Sequence, residues 1–200
     1  NIAIDPGTYS YNAPPPWNNP FAHTCYHNTV TVDGLDQMQR MGKFLWLPWL
    51  QSQVRCGNPP GAGVAQYWEG EHQGYGRLPA PVRHRRALVG LPQDSWLVVD
   101  VLESTASHTY RLHWLLADLP YQWNANEQQM QVETAAGPYY LKVGTVTGEG
   151  RSSLQRADAE SPRGWQALYY FARQPALSLD WALTAGQACF WTLFGPQPAQ

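Results

Sequence analysis

Two residues near the start of the chain have side chains of the kinds that carry out chemistry. Asp5 ends a short apolar strand and precedes a Pro-Gly turn, and His27 stands at the start of a second predicted strand, residues 28–32. A carboxylate and a neutral imidazole are good ligands for Zn²⁺ and also serve in acid–base catalysis. The competing interpretation is structural, because an Asp in such a turn commonly accepts a hydrogen bond from a backbone N–H two residues on.

Two tyrosines, Tyr9 and Tyr11, follow the same Pro-Gly turn. A tyrosine acts as an acid or a base when its surroundings shift its pKa. Most tyrosines in an aromatic-rich β protein only fill space. No nucleophile elbow, P-loop, dinucleotide fingerprint or His-Glu-x-x-His motif is present in the sequence. We therefore treat His27, Tyr9 and Tyr11 as catalytic candidates, the tyrosines being the weaker ones.

A run of cationic residues occupies the predicted strand at residues 82–89. Alternation places Arg83 and Arg85 on one face of this strand and His84 and Arg86 on the other. Guanidinium groups match the geometry of carboxylates and sulfates, so these four residues are candidates for binding an acidic ligand. The alternative is a solvated face on which the arginines pair with nearby acids.

Composition limits the classes of function. The 200 residues carry a formal net charge of −2, which argues against nucleic-acid binding driven by overall charge. No apolar run is long enough to span a membrane. The chain contains 10 Trp, 11 Tyr and 5 Phe. Aromatic residues favour strands, and exposed ones commonly stack on sugar rings.

The cysteines do not point to a zinc knuckle or a redox motif. Cys25, Cys56 and Cys189 are far apart, and no Cys-x-x-Cys is present. One disulfide with a free thiol, and three reduced thiols, both remain open.

The spacing of turn residues predicts an all-β fold. There are 17 Gly and 17 Pro, which separate short β-type runs, and no window shows a convincing helical period. We predict one domain over residues 1–200, an antiparallel β-sandwich. Asp33-Gly34 and Gly137-Pro138 suggest hairpins, and residues 148–163 suggest a mobile loop. Predicted strands include residues 96–102, 108–116, 177–183 and 188–194.

Several motifs, in order over about the first 115 residues, resemble the heparinase II/III-like family of bacterial polysaccharide lyases. The motifs are Ile-Asp-Pro-Gly-Thr-Tyr-Ser-Tyr-Asn from Ile4, His-Asn-Thr-Val-Thr-Val-Asp-Gly-Leu-Asp-Gln from His27, Gly-Lys-Phe-Leu-Trp from Gly42, Glu-His-Gln-Gly-Tyr from Glu71, Val-Arg-His-Arg-Arg from Val82 and Trp-Leu-Val-Val-Asp from Trp96.

The resemblance implies a larger, two-domain parent. Enzymes of this family join an N-terminal helical toroid to a C-terminal, supersandwich-like β domain, and this chain corresponds to the β domain alone. The family's catalytic tyrosine and its Asn or His partner lie mainly on the helical domain. The resemblance therefore implies that this chain by itself lacks a complete active site, and that the parent is periplasmic or secreted.

The resemblance also implies a zinc site. Asp5 and His27 match two of the family's three ligands, and the third, a histidine, would fall upstream of Asn1. The zinc would be structural, because elimination needs no activated water. His23 stands where relatives often carry Arg.

The expected function follows from these implications. The parent would be a carbon–oxygen lyase that cleaves acidic polysaccharides containing uronic acids, such as glycosaminoglycans or alginate, by β-elimination. Its partners would be the polysaccharide and the helical domain of the same chain, with no nucleic acid and no membrane span. Two alternatives stay open. One is a non-catalytic carbohydrate-binding or exopolysaccharide-assembly module, and the other is an enzyme of polysaccharide export or modification.

Overall fold

The computed structural model describes residues 1–56 and 66–198, which form β-strands and two single-turn 3₁₀ helices, Pro20–Ala22 and Thr24–Tyr26. The strands are β1 Val30–Val32, β2 Gln39–Arg40, β3 Trp46–Leu47, β4 Ser52–Cys56, β5 Gln66–Tyr75, β6 Val82–Leu91, β7 Ser95–Ala117, β8 Tyr121–Asn124, β9 Gln129–Thr134, β10 Gly137–Thr145, β11 Arg151–Arg156, β12 Trp165–Tyr169 and β13 Ala172–Gly195.

The strands pair in antiparallel fashion. The main hydrogen-bonded order is β4-β5-β6-β7-β13-β10-β9-β8, with β1 paired to β7 and with β11 and β12 paired to β13. β2 and β3 form a separate hairpin. This arrangement confirms the predicted all-β, antiparallel fold class.

The chain forms two compact units, and both include parts of the long strands β7 and β13. Unit 1 comprises Asn1–Trp49, Thr109–Asp118 and Arg151–Leu183. Unit 2 comprises Leu50–His108, Leu119–Gly150 and Thr184–Gln200. The prediction of one domain over residues 1–200 stays a prediction.

Apolar side chains at alternating positions of the strands build the core of each unit. In unit 1, Val30 and Val32 of β1 are buried together with Tyr110 and Leu112 of β7, opposite which they pair. In unit 2, buried side chains include Val98, Leu102, Met130, Leu141 and Phe190. Burial of each such side chain stabilises the fold by about 1.5–3 kcal/mol.

Two strands are longer than the sequence predicts. The runs 96–102 and 108–116 belong to the single strand β7, and the runs 177–183 and 188–194 belong to the single strand β13. The prediction of a mobile loop at residues 148–163 is wrong in its first half, because β11 pairs there with β13 from Arg151 to Arg156.

The two predicted hairpins are present. Asp33 and Gly34 both have positive φ angles, 53° and 68°, as a two-residue hairpin turn requires. The second hairpin joins β9 to β10, but Thr134 pairs with Gly137, so its turn is at residues 135 and 136.

Cys25 and Cys189 carry free thiols, which removes a disulfide between them from the possibilities. The side chain of Cys56 lies outside the described residues. Over the described part of the chain, the structure contains no helix long and apolar enough to cross a membrane.

Candidate functional site

Asp5 is held in place by hydrogen bonds to its own backbone and to that of its neighbour Ile4. Ile4 N donates a hydrogen bond to Leu115 O of β7 at 2.9 Å, and Gln166 Nε2 of β12 donates to the backbone oxygen of Asp5 at 2.8 Å. Its carboxylate Oδ1 accepts a hydrogen bond from Gly7 N at 2.9 Å, as the structural interpretation predicts. Gly7 is required there, because its φ is +70° and a Cβ would lie 2.0 Å from the oxygen of Ala167.

His27 follows the second 3₁₀ helix, and its peptide is held from two directions. His27 N donates to Thr24 O at 3.1 Å, and its own backbone oxygen accepts from Thr29 N at 2.8 Å. The next residue, Asn28, donates through Nδ2 to Ile4 O at 2.9 Å and accepts from Leu115 N at 2.6 Å. Asn28 therefore joins the segment that carries His27 to the segment that carries Asp5.

The two predicted ligands lie side by side. His27 Nδ1 is 2.9 Å from Asp5 Oδ2, and His27 Nε2 is 2.8 Å from the backbone oxygen of Phe21. The side chains are 36% and 70% exposed for His27 and Asp5, so a ligand can reach them from solvent.

This geometry suits half of a zinc site. A carbonyl oxygen only accepts, so His27 Nε2 carries a proton and Nδ1 is the atom left for a metal ion. Metal-binding histidines usually donate the other ring N–H to a backbone carbonyl or carboxylate, which Phe21 provides here. The remaining carboxylate oxygen of Asp5, Oδ2, lies next to Nδ1 and could share the same ion.

The metal-ligand role and the base role of His27 exclude each other. Both would use the Nδ1 lone pair, since Nε2 is committed to Phe21. A third His, Cys, Asp or Glu to complete a metal site is not found near this pair, or in any other cluster, among the described residues.

A buried histidine, His113 on β7, holds the backbone of His27 through a hydrogen bond. Its Nδ1 donates to the backbone oxygen of His27 at 3.0 Å, so its Nε2 accepts from the Ser178 hydroxyl at 3.0 Å. Burial lowers the pKa of His113 to about 4, which keeps the ring neutral at pH 7. Nothing in the local sequence distinguishes this residue from an ordinary alternating strand residue.

His23 pairs with a carboxylate of its own. Its Nδ1 lies 2.8 Å from Asp36 Oδ2, and Arg40 Nη1 lies 3.4 Å from its Nε2. Its ring also stands edge-on to Trp46. The structure thus places His23 in a second, separate His–Asp pair of unit 1.

Tyr9 and Tyr11 both belong to a continuous group of aromatic rings. Tyr9 packs edge-on against Trp17 and Phe171, and Tyr11 packs against Phe44 and Tyr170. No hydrogen bond joins either hydroxyl to Asp5 or His27 in the described structure. Their predicted catalytic role stays a prediction.

Tyr170 is a polar aromatic residue that the sequence did not single out. Its hydroxyl oxygen accepts a hydrogen bond from Tyr11 N at 3.1 Å. Hydrogen bonds from the Ser10 hydroxyl and from Tyr11 N lower the pKa of Tyr170 below its ordinary value. The Tyr-Tyr-Phe run that contains it gives no local signal of this arrangement.

The cationic strand β6 lies in unit 2, and its buried face forms a charge network. His84 Nε2 lies 2.6 Å from Asp100 Oδ1, and Arg86 donates to both Asp100 oxygens at 2.7 and 2.9 Å. His84 Nδ1 lies 3.0 Å from His72 Nε2. Gly74 N donates to His72 Nδ1, so the proton of neutral His72 is on Nε2. His72 Nε2 then donates to His84 Nδ1, and His84 Nε2 donates to Asp100.

Electrostatics explains the protonation of this network. Burial opposes the charge on Asp100, but Arg86 and His84 hold its pKa down at about 2. Burial and the neighbouring His84 lower the pKa of His72 to about 4. His84 and Arg86 are thus engaged with a buried carboxylate.

The exposed face of β6 carries Arg83 and Arg85. Arg83 donates to Glu103 and lies 4.0 Å from Glu71, and Arg85 lies 3.9 Å from Glu69. Arg83 and Glu103 line an open groove of about 510 Å³, with Gln73, Ser104, Thr105 and Gln187 among its other polar residues. Arg83 and Arg85 thus pair with nearby acids on a solvated face, as the structural interpretation predicts. Their predicted substrate-binding role stays a prediction.

The family model described as "Heparinase II/III-like, C-terminal" matches residues 1–188. The chain belongs to this family. No curated protein matches the sequence of this chain.

Solved structures share the fold of this heparinase II/III-like domain at low sequence identity. A heparinase III gene product aligns with a TM-score of 0.74 and 18% identity over 98% of this chain and 28% of its own. A heparan sulfate lyase from Pedobacter heparinus aligns with a TM-score of 0.70 and 17% identity, over 100% of this chain and 29% of its own. A structure named heparinase III aligns with a TM-score of 0.74 and 16% identity, over 100% of this chain and 28% of its own. The domain therefore spans less than a third of the length of these proteins.

Proposed function

We propose that the protein containing this domain is a polysaccharide lyase that cleaves an acidic, uronate-containing polysaccharide by β-elimination. The observation that carries the proposal is the family match over residues 1–188. The partner domain would be an N-terminal helical domain of the same chain, and the enzyme would work in the periplasm or outside the cell. Glycosaminoglycans such as heparan sulfate, and alginate, are the substrates to test first.

The reaction removes a proton from C5 of a uronate and breaks the bond from C4 to O4. Neutralising the uronate carboxylate makes the C5 proton acidic enough to leave. A base takes this proton, a C4=C5 double bond forms, and an acid protonates the departing O4. The product is a shorter polymer and an unsaturated sugar, and no water is consumed.

We assign His27 and Asp5 to zinc binding rather than to proton transfer. Nδ1 of His27 and Oδ2 of Asp5 lie together at 2.9 Å, and the Phe21 carbonyl fixes the His27 ring as a carbonyl does for a metal-bound histidine. A bound zinc would supply a structural link between the Asp5 segment and the start of β1. The base and the acid would then come from other residues of the enzyme.

The experiment is to incubate the full-length protein with heparan sulfate, alginate, hyaluronan and a neutral control polymer. A lyase would produce a rise in ultraviolet absorbance from the unsaturated sugar on at least one acidic polymer, and none on the neutral polymer. No rise on any acidic polymer, with intact binding to one of them, would favour a non-catalytic carbohydrate-binding or exopolysaccharide-assembly module instead.

A further inference from the structure

Four aromatic side chains form one exposed surface in unit 1, which we call the four-ring surface. Phe44 contacts Tyr11 with ring centroids 4.8 Å apart, Tyr11 contacts Tyr170 at 5.5 Å, and Tyr170 contacts Phe171 at 4.7 Å. These side chains are 69%, 37%, 47% and 59% exposed for Phe44, Tyr11, Tyr170 and Phe171. A connected apolar surface of this kind marks a binding site more often than isolated exposed rings do.

The four-ring surface is built by three separate segments that are tied together. Phe171 N donates to Tyr9 O at 2.7 Å, and Tyr11 N donates to the Tyr170 hydroxyl at 3.1 Å. Lys43, next to Phe44, hydrogen-bonds Asn12. Because these bonds fix the rings before any ligand arrives, binding would cost little ordering entropy.

Phe171 holds its place at a conformational cost. It lies in the turn between β12 and β13, and its φ angle is +59°. Glycine or asparagine usually occupies such a left-handed position, and a bulky aromatic residue there is a rare outlier. Strained backbone positions of this kind cluster at functional sites. The conformation of Phe171 is therefore consistent with a functional role for its exposed ring.

The three segments that build the four-ring surface carry cations but no carboxylates. Residues 6–32, 37–49 and 164–175, which contain the four rings, include no Asp or Glu, and their Lys and Arg residues are Arg40, Lys43 and Arg173. Arg173 stacks on Trp17 at 3.7 Å, and Arg40 lies over Trp46 at 5.8 Å. In the described part of the chain, none of these three cations pairs with a carboxylate.

The exposed face of β6 has the opposite balance. There Arg83 and Arg85 face three carboxylates, Glu69, Glu71 and Glu103, within 4.0 Å. An acidic polymer would have to displace these carboxylates to reach the guanidinium groups. The charge pattern therefore favours the four-ring surface as the place where such a polymer meets the domain.

We propose that the four-ring surface is a binding subsite for the sugar rings of an anionic, uronate-containing polysaccharide, flanked by Lys43 and Arg173 as partners for its acidic groups. The proposal rests on the proposed function and specifies where the same substrate binds. Ring faces accept the C–H faces of sugars, while the surplus of cations complements a polyanion. A protein partner would instead match an apolar surface with an apolar face of its own.

The test compares variants of the full-length protein on whichever of heparan sulfate and alginate it cleaves. Phe44→Ala, Tyr170→Ala and Lys43→Gln should each raise KM by roughly five- to fifty-fold and change kcat by less than about twofold, because the subsite binds ground state and transition state alike. Tyr121→Ala, an exposed tyrosine of unit 2, is the matched control and should leave KM unchanged. Lys43→Gln should also weaken the dependence of KM on salt.

Retardation of the same variants in native gels containing either polymer separates the outcomes. Cleavage with unchanged KM in all three variants overturns the subsite and leaves the lyase proposal standing. Retardation that the variants lose, without cleavage by the wild type, supports the subsite and overturns the lyase proposal. Loss of thermal stability of the full-length protein in Phe44→Ala and Tyr170→Ala, with unchanged retardation, identifies the surface as a protein contact and overturns the subsite.

Discussion

Oδ2 of Asp5 and Nδ1 of His27 lie 2.9 Å apart, although the residues are separated by 22 positions in the sequence. Asp5 uses its other carboxylate oxygen for Gly7 N, and His27 uses its other ring nitrogen for the Phe21 carbonyl. The turn-forming role of Asp5 and its role beside His27 are therefore compatible. Each residue directs its second polar atom at the other residue, and these two atoms are the ones that a shared metal ion would join.

This relationship predicts that zinc content depends on both residues. In the full-length protein, Asp5→Ala and His27→Ala should each reduce bound zinc well below the wild-type level, which we expect to be close to one ion per chain. Loss of one ligand typically weakens a zinc site severely, because the ion prefers four ligands. Elemental analysis after dialysis gives the stoichiometry.

The control for the zinc measurement is His23→Ala. His23 also lies within 3 Å of a carboxylate, that of Asp36, but its second ring nitrogen lies near Arg40, which would repel a cation. This variant should keep the wild-type zinc content. Full zinc occupancy in both Asp5→Ala and His27→Ala would refute the ligand assignment.

Local signals were enough to predict part of this site. Asp before Pro-Gly predicts the hydrogen bond to Gly7, and the Asp33-Gly34 pair predicts the turn after β1. The family resemblance, rather than a local signal, predicts that Asp5 and His27 lie close together. The supporting contact from His113 to His27 could not be predicted, because these residues are 86 positions apart in sequence and meet only through the register of β7 against β1.

Other errors of sequence interpretation have similar physical causes. Ser104, Thr105 and Ser107 interrupt the apolar alternation of β7, so the sequence predicts two strands, yet the single strand continues there with exposed residues. The polar sequence of β11 predicts a loop, but pairing with β13 supplies backbone hydrogen bonds that its side chains do not predict. The sequence alone does not predict the four-ring surface, because the number of aromatic residues does not indicate which rings stay exposed.

The two faces of β6 predict effects of very different size for two arginine substitutions. Arg86→Ala should lower the free energy of unfolding by about 3–5 kcal/mol, because it leaves the buried Asp100 carboxylate without its main counter-charge. Arg83→Ala, on the exposed face of the same strand, should change the free energy of unfolding far less than Arg86→Ala does, because water screens an exposed ion pair. Chemical denaturation followed by tryptophan fluorescence measures both.

A double variant checks the origin of the Arg86 effect. Arg86→Ala combined with Asp100→Ala should cost less than the sum of the two single substitutions, because no buried charge is left unpaired. Additive effects would show that Arg86 stabilises the fold through packing rather than through Asp100.

Stability should fall as the pH drops from about 6.5 to about 4. The pKa values of His72 and His113 are about 4 in the folded state, below the ordinary value of 6.5, so the unfolded chain binds more protons in this window. The free energy of unfolding should decrease between pH 7 and pH 5 by about 1–2 kcal/mol for each histidine. Asp100, with a pKa of about 2, contributes stability that is lost only below about pH 4.

His72→Gln tests the histidine contribution. Glutamine can still donate a hydrogen bond to His84 Nδ1, but it does not titrate. The loss of stability between pH 7 and pH 5, measured by denaturation at each pH, should be smaller in this variant by about 1–2 kcal/mol. Between pH 7 and pH 8 the free energy of unfolding should change by the same amount in the wild type and the variant. An equal loss of stability in both proteins between pH 7 and pH 5 would contradict the assignment.

The left-handed conformation of Phe171 predicts an unusual order of stabilities. Phe171→Ala loses the ring contacts with Tyr9 and Tyr170 and keeps the cost of a positive φ, whereas Phe171→Gly loses the same contacts and removes that cost. The glycine variant should therefore be more stable than the alanine variant by about 1 kcal/mol, as measured by denaturation. The same pair of substitutions at Tyr140, which pairs regularly on both sides within β10, should give the reverse order, because glycine weakens a regular strand by roughly 0.5–1 kcal/mol. An alanine variant at residue 171 that equals or exceeds the glycine variant would show that the turn relaxes without strain once the aromatic ring is removed.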